Sequence, residues 1–304
     1  MTSNLIFLGT GGDSYVVTKQ IRTSGGIILQ IDDDQYHIDP GPGALSAAKE
    51  AGINLRANTG LFVTHNHINH CNDINAVIDA MTYGGFDKKG VLVANKTVIN
   101  GFLNHQPFLQ KYYKNCLERF VILEAGRKVG INNIEVIAIK AKHSEPNAIG
   151  FKFITPDYAI TYSGDTCYNE EMVHAYKNSN ILILNVPYLK KEENDDNLCK
   201  EDAIKIIKKT NPKLAIITHF GSSMLKAEPL YEAKEIQKET NVKVIAATDG
   251  MVINPISYDI VHEQKPLYKY DAKEMVRLHE FEQEESVKEV NELIEDSEAN
   301  DDNK

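Results

Sequence analysis

The stretch 61-LFVTHNHINHCND-73 places three histidines, His65, His67 and His70, within six residues, directly after an apolar run. LFVT reads as a buried strand, and a chain leaving it extended turns His65 and His67 to the same side, because side chains alternate with period two. His70 follows just before DINAVIDAM, which has the spacing of a helix, so three imidazoles can converge on one point. Neutral imidazole nitrogens suit Zn²⁺ and other borderline divalent metals, and a catalytic site takes about three protein ligands while keeping a position open for water. Metal chemistry expects a carboxylate between the second and third histidine; this chain has Asn69.

Partners for the cluster stand at the ends of other apolar runs. His143 follows VIAIKAK, Asp165 lies in YSGDT after YAITYS, and His219 follows LAIIT. Taken singly, each histidine reads as an ordinary hydrogen-bonded residue and Asp165 as a turn residue; their common placement after strands points to a shared site. His37, His105, His174, His262 and His279 have no such context and receive no metal role.

Ten runs read as strands: 5–9, 26–32, 61–64, 91–94, 136–141, 148–154, 158–163, 181–185, 214–219 and 242–247. Helical spacing falls at 44–51, 73–81, 98–113, 201–209 and 225–239. Strands interspersed with helices predict a layered α/β or α+β architecture. No run approaches the roughly 18 apolar residues of a membrane span, and MTSNLIFLGTGGD lacks the pattern of a signal peptide, so a cytoplasmic location is expected without a membrane partner. The four cysteines, Cys71, Cys116, Cys167 and Cys199, form no CxxC pair and read as buried free thiols.

The net charge of −10 is concentrated at the end of the chain, where residues 271–304 hold 13 acidic and 4 basic residues. The remainder, with 30 acidic and 29 basic residues, is close to neutral. A neutral body lacks the broad positive field that a long nucleic acid requires, which favours a small anionic substrate. The sequence divides into a domain at 1–258 and an acidic extension at 259–304, helical in its 272–294 stretch and disordered in its final SEANDDNK. A second copy of the chain is compatible as a partner.

With these motifs in view, HNHINH resembles the HxHxDH signature of the metallo-β-lactamase fold superfamily. FLGTGG near the N-terminus, IDPGPG at 38–43, His143, SGDT at 163–166 and THFG at 218–221 follow in that family's order, over roughly 5–253. The resemblance implies a four-layer αββα sandwich with a dinuclear site at the lip between two sheets. It implies that His65, His67 and His143 hold a first divalent metal, Zn²⁺ or else Mn²⁺ or Fe²⁺. Asp165 would bridge to a second, held by His70 and His219, and Asp39 would orient a ligand histidine from beneath. The family's aspartate falls on Asn69, a weaker ligand, because a carboxamide supplies one neutral oxygen and no base. The second position would then bind metal weakly or stay empty. Asp73, three residues on, is an alternative acid but reads as the cap of the following helix.

The resemblance implies hydrolysis, with water activated at the metal and Asp165 as the catalytic carboxylate. His143 and Asp165 are only 22 positions apart, which leaves no room there for the tRNA-gripping arm of ribonuclease Z enzymes. The segment is more similar to the phosphodiesterase branch that includes cyclic-phosphate hydrolases. The expected activity is therefore phosphodiester hydrolysis in a small nucleotide or cyclic phosphate. A lactone or thioester hydrolase would use the same residues, and a non-catalytic binding protein would follow if Asn69 marks decay of the site. ATDGMVI at 247–253 resembles a late motif of nucleic-acid-acting members but reads equally as a strand and turn, and Asp249 is given no catalytic role. Asp13, Ser144 and Asn147 lie beside the motifs without an assigned part.

Overall fold

A computed structural model describes residues 3–191 and 196–262 of the chain. Its strands are β1 (Ser3–Phe7), β2 (Ile27–Ile31), β3 (Asp34–Ile38), β4 (Asn58–Val63), β5 (Val91–Ala94), β6 (Arg119–Ile122), β7 (Lys128–Ile131) and β8 (Ile134–Lys140). There follow β9 (Ile149–Ile154), β10 (Ala159–Tyr162), β11 (Ile181–Asn185), β12 (Leu214–Thr218), β13 (Val244–Ala246), β14 (Val252–Ile253) and β15 (Ile260–His262). They form two mixed sheets, one ordered β15-β14-β1-β2-β3-β4-β5-β6 and the other β13-β12-β11-β10-β9-β8-β7.

The apolar runs fold as strands buried on both faces, and their alternate residues enter different cores. Leu5 and Phe7 of β1, Phe62 of β4, Phe151 and Phe153 of β9 and Ile181 and Ile183 of β11 share a core between the sheets. Phe62 packs edge-on against both Phe151 and Phe153, with ring centroids 5.4 and 5.0 Å apart. Ile6, Leu61 and Val63 point the other way, under α2 (Ala44–Glu50) and α4 (Ile74–Thr82). Leu182 and Leu184 do the same on the far side, under α7 (Glu170–Tyr176), α8 (Lys200–Thr210) and α10 (Pro229–Thr240). The result is the expected αββα sandwich, completed by α1 (Ser14–Thr18), α3 (Ile68–Cys71), α5 (Lys96–Asn100), α6 (Lys111–Cys116) and α9 (Ser222–Lys226). All four cysteines are buried and free.

Two expected helices are broken. The 98–113 helix stops at Asn100, because Gly101 adopts a φ of 75° and Pro107 follows; the chain turns and α6 starts afresh at Lys111. The 225–239 helix is interrupted at Glu228, whose φ is 60°, and α10 begins on Pro229 at its first turn. Four strands carry too little apolar alternation to stand out in the sequence, β3, β6, β7 and β15, while β14 falls in the ATDGMVI stretch that reads as a strand and turn. The first sheet runs on to His262, four residues past the domain boundary drawn from the sequence. The 272–294 helix, His279 and the end of the chain lie outside the described residues.

His37 sits on the helix-facing side of β3, fully buried, its Nε2 2.7 Å from the Gly25 carbonyl and its Nδ1 without a partner. Burial pushes its pKa down to about 4, against the upward pull of the Gly25 hydrogen bond. The unfolded chain therefore takes up this proton near pH 6.5 and the folded chain only near pH 4. Stability is lost as pH falls through that window, by roughly 3 kcal/mol in all. Urea unfolding at pH 7 and pH 5 is expected to show wild type losing about 2 kcal/mol more than His37→Gln, which does not titrate.

Candidate metal centre

The site lies along one edge of the two sheets because both deliver their chain ends there. β1, β3 and β4 run in one direction in the first sheet, as do β8, β10, β11 and β12 in the second. The loops after their C-terminal ends carry Gly12, Asp39, His65, His143, Asp165 and His219, and Asn185 is the last residue of β11. Main-chain bonds tie the loops across the gap: Gly12 N–H donates to the Phe220 carbonyl at 2.9 Å, Phe220 N–H to the Thr10 carbonyl at 2.7 Å, and Ile149 N–H to the Thr64 carbonyl at 3.2 Å. The glycines of the two turn motifs have steric reasons. A Cβ on Gly12 would collide with the His219 carbonyl, and one on Gly41 with the Asn69 carbonyl. Asp39 and His219 both hold a positive φ, 50° and 62°, a conformation unfavourable for non-glycine residues that the surrounding bonds impose.

All six expected ligands converge. His67 Nδ1 lies 3.0 Å from His65 Nε2 and 3.1 Å from His143 Nε2. Asp165 Oδ2 is 3.2 Å from His70 Nε2, 3.8 Å from His65 Nε2 and 4.0 Å from His143 Nε2. His219 Nε2 lies 3.0 Å from His70 Nε2 and 3.5 Å from Asp165 Oδ1. Two donor groups, His65 with His67 and His143, and His65 with His70 and Asp165, each have their atoms within 4.8 Å of one another. Asp165 thus stands between the two halves.

The outer nitrogens explain which atoms face inward. His70 Nδ1 is 2.8 Å from Asp39 Oδ2, His65 Nδ1 3.0 Å from Thr64 Oγ1, and His143 Nδ1 3.0 Å from Asp196 Oδ2. An Nδ1 engaged in this way leaves Nε2 to ligate. Asp39 is itself gripped, accepting from Thr64 N–H at 2.8 Å, Thr64 Oγ1 at 2.8 Å and Tyr162 O–H at 3.0 Å. Asn185 donates to Asp165 Oδ1 at 2.7 Å and fixes the carboxylate.

The electrostatics suit a cation. Burial opposes ionisation of Asp165, but His219 and His70 outweigh it and hold the carboxyl well below the usual range. Burial and the neighbouring His70 keep His65 well below its ordinary value, burial and His143 lower His67, and burial brings His219 to about 4. Those three offer lone pairs at neutral pH. For His70, burial is outweighed by Asp165 and Asp39, which carry its pKa up to about 10. Imidazole nitrogens with fixed tautomers around an ionised carboxylate are the donor set of a first-row divalent metal, and the residues fit one.

Asn69 departs from that set. Its Nδ2 lies 3.0 Å from the Gly12 carbonyl oxygen and 2.9 Å from His219 Nε2. The carbonyl accepts only from N–H, which fixes the amide's orientation and directs its second N–H at the His219 lone pair. His219 Nδ1 is buried without a partner, unlike the outer nitrogens of His65, His70 and His143. The second half of the site is the less well built.

Other expectations find their places. Asp73 precedes α4 as expected, but its carboxylate does not cap that helix; it accepts from the Ala44 N–H that opens α2, at 2.9 Å. Asp13 caps α1 through Val16 N–H at 2.8 Å and also accepts from Ser222 N–H at the start of α9, at 2.7 Å. Asp249 ties Thr10 Oγ1, at 2.6 Å, to Thr23 N–H, at 2.8 Å, a structural part. Asn147 donates to Thr97 Oγ1 at 2.9 Å, and Ser144 N–H meets Asp196 Oδ2 at 2.7 Å. Sequence reasoning missed Thr64, Tyr162, Asn185 and Asp196. Asn185 carried a signal, since it closes the apolar run ILILN as Asp165 and His219 follow theirs.

Two stacked mixed sheets, helices on both outer faces and a histidine-aspartate cluster at the strand ends define a metallohydrolase sandwich. The model of the β-lactamase superfamily domain matches residues 35–220, more than half of the chain, and the chain belongs to that superfamily. Among relatives, Uncharacterized protein MJ1374 of Methanocaldococcus jannaschii is 31% identical over 255 residues, covering 83% of this chain and 95% of that one. Ribonuclease Z of Sulfolobus acidocaldarius is 24% identical over 306 residues, covering 86% and 99%. The metallo-β-lactamase fold protein YhfI from Bacillus subtilis superposes with a TM-score of 0.70 at 16% identity, over 83% of this chain and 99% of that one, a likeness of fold. No helix among the described residues is long and apolar enough to cross a membrane.

Proposed function

We propose that this chain is a metal-dependent phosphodiesterase acting on a small nucleotide or cyclic phosphate. The observation that carries the reading is the convergence of His65, His67, His143, His70, His219 and Asp165 around one point at the sheet ends, with Asp165 between the two halves. His65, His67 and His143 would hold a first metal, and Asp165 with His70 and His219 would hold a second, weaker one, at which Asn69 turns its amide N–H rather than an oxygen inward. A bound divalent cation lowers the pKa of a coordinated water and neutralises charge on a phosphate.

The chain's own residues set the geometry. Asp39 accepts a hydrogen bond from His70 Nδ1–H and Thr64 Oγ1 pairs with His65 Nδ1, so both rings keep Nε2 toward the place the metals would take. Asp165, ionised and held by Asn185, supplies the negative charge that retains them. A relative named as a ribonuclease supports phosphodiester chemistry. The compact hairpin of β9 and β10 between His143 and Asp165, and the near-neutral body, favour a small substrate over a long nucleic acid.

The test is a substrate panel on protein reconstituted with Zn²⁺, Mn²⁺ or Fe²⁺: bis-nitrophenyl phosphate, cyclic nucleotides, an acyl-lactone and a glutathione thioester. Hydrolysis of the phosphodiesters above the others is expected. Turnover of lactone or thioester alone would replace the reading, and no turnover with any metal would point to a binding protein.

A further inference from the structure

The three well-held histidines differ in where their holders come from. Thr64 and Asp39 follow β4 and β3, inside the sandwich, whereas the holder of His143 stands on the segment between β11 and α8. Asp196 Oδ2 lies 3.0 Å from His143 Nδ1 and also accepts from Ser144 N–H at 2.7 Å, and the Asp196 main-chain oxygen lies 3.1 Å from the same Nδ1. Asn197 Nδ2 donates to the other carboxylate oxygen at 3.1 Å. The ring of His143 is almost fully buried while the Asp196 side chain is 35% exposed, so a buried ligand is anchored from the rim.

From this geometry we infer that Asp196 is a positioning residue for the metal centre: it fixes His143 as the Nδ1–H tautomer and aims Nε2 at the first metal. The inference rests on the reading of His143 as a ligand of that metal. The physical reason is the same that makes Asp39 useful to His70. A carboxylate accepting Nδ1–H selects the tautomer, restrains ring rotation and makes Nε2 a better donor. The bond from Ser144, the residue next to the ligand, locks the Asp196 carboxylate to the loop that carries His143. Ligand and holder therefore keep one register although 53 positions separate them.

The experiment uses the full chain with Asp196→Ala and Asp196→Asn, and two readouts. The first is the Zn²⁺ dissociation constant by competition with a chromogenic chelator. Asp196→Ala is expected to bind about tenfold more weakly, the lower end for loss of one such partner because the main-chain oxygen remains. Asp196→Asn keeps an acceptor oxygen and is expected to restore most of the affinity. The second readout is the His143 imidazole in metal-free, ¹⁵N-histidine-labelled protein. Wild type is expected to show the Nδ1–H form alone, and Asp196→Ala a mixture with the Nε2–H form, at an unchanged urea midpoint. Equal Zn²⁺ affinity in wild type and Asp196→Ala, or an unaltered His143 tautomer, overturns the inference. If wild type binds no metal, the metal reading fails while the tautomer comparison still decides the hold of Asp196.

Discussion

Asn69→Asp is expected to change the metal content of the protein from one tightly held ion per chain to two, read by native mass spectrometry after dialysis against buffered Zn²⁺. In wild type the Asn69 amide hydrogen-bonds the Gly12 carbonyl and directs its remaining N–H at His219 Nε2, the lone pair a second ion would use. A carboxylate there cannot make either bond. It would face the Gly12 oxygen with like charge density, and the His219 lone pair as well unless that ring moves its proton to Nε2, so a cation is the partner that relieves both contacts at once. The second ion should bind tighter by about 10–100-fold, on the scale of other changes around metal ligands. The metal-free variant should be less stable than metal-free wild type and recover more on adding Zn²⁺, because binding to the folded state alone stabilises it. A variant that gains neither metal nor stability on loading would show that Asn69 is not what limits the second position.

How much of this was legible in the sequence depends on what each residue answers to. β4, β11 and β12 are continuous apolar runs because both of their faces are buried, and such runs identify themselves. His65, His67, His70, His143, Asp165 and His219 were legible for a related reason, each being a polar group set just beyond such a run or in the turn that follows. β3, with the sequence DQYHI, hides because it carries Gln35 and His37 at buried positions, each bonded to a distant partner. The broken helices around Gly101 and Glu228 show local backbone geometry overriding a helical pattern, although Pro229 gave notice of one of them. Asp73 and Asp196 mark where sequence reasoning stops. One looks like a cap for the helix beside it and serves another 29 residues away; the other has nothing in its neighbours to single it out and holds a buried imidazole. Both parts are set by contacts that neighbouring residues do not reveal.

The second large effect concerns the first metal. His65 contributes to both donor groups, its ring is fully buried, and its Nδ1 is engaged by Thr64, so its Nε2 is committed to the centre. His65→Ala removes that nitrogen and leaves His67 and His143 as a pair, too few protein ligands for a tight tetrahedral ion. Hydrolysis by the loaded enzyme is expected to fall about a thousandfold, equivalent to about 4 kcal/mol of lost transition-state stabilisation. Activity alone does not distinguish a lost metal from a misplaced substrate, so metal content is the more direct quantity. Elemental analysis of wild type and His65→Ala, purified and dialysed side by side, tests the centre itself. Wild type is expected to retain at least one ion per chain and His65→Ala close to none, whereas equal metal in both would contradict the assignment of the site.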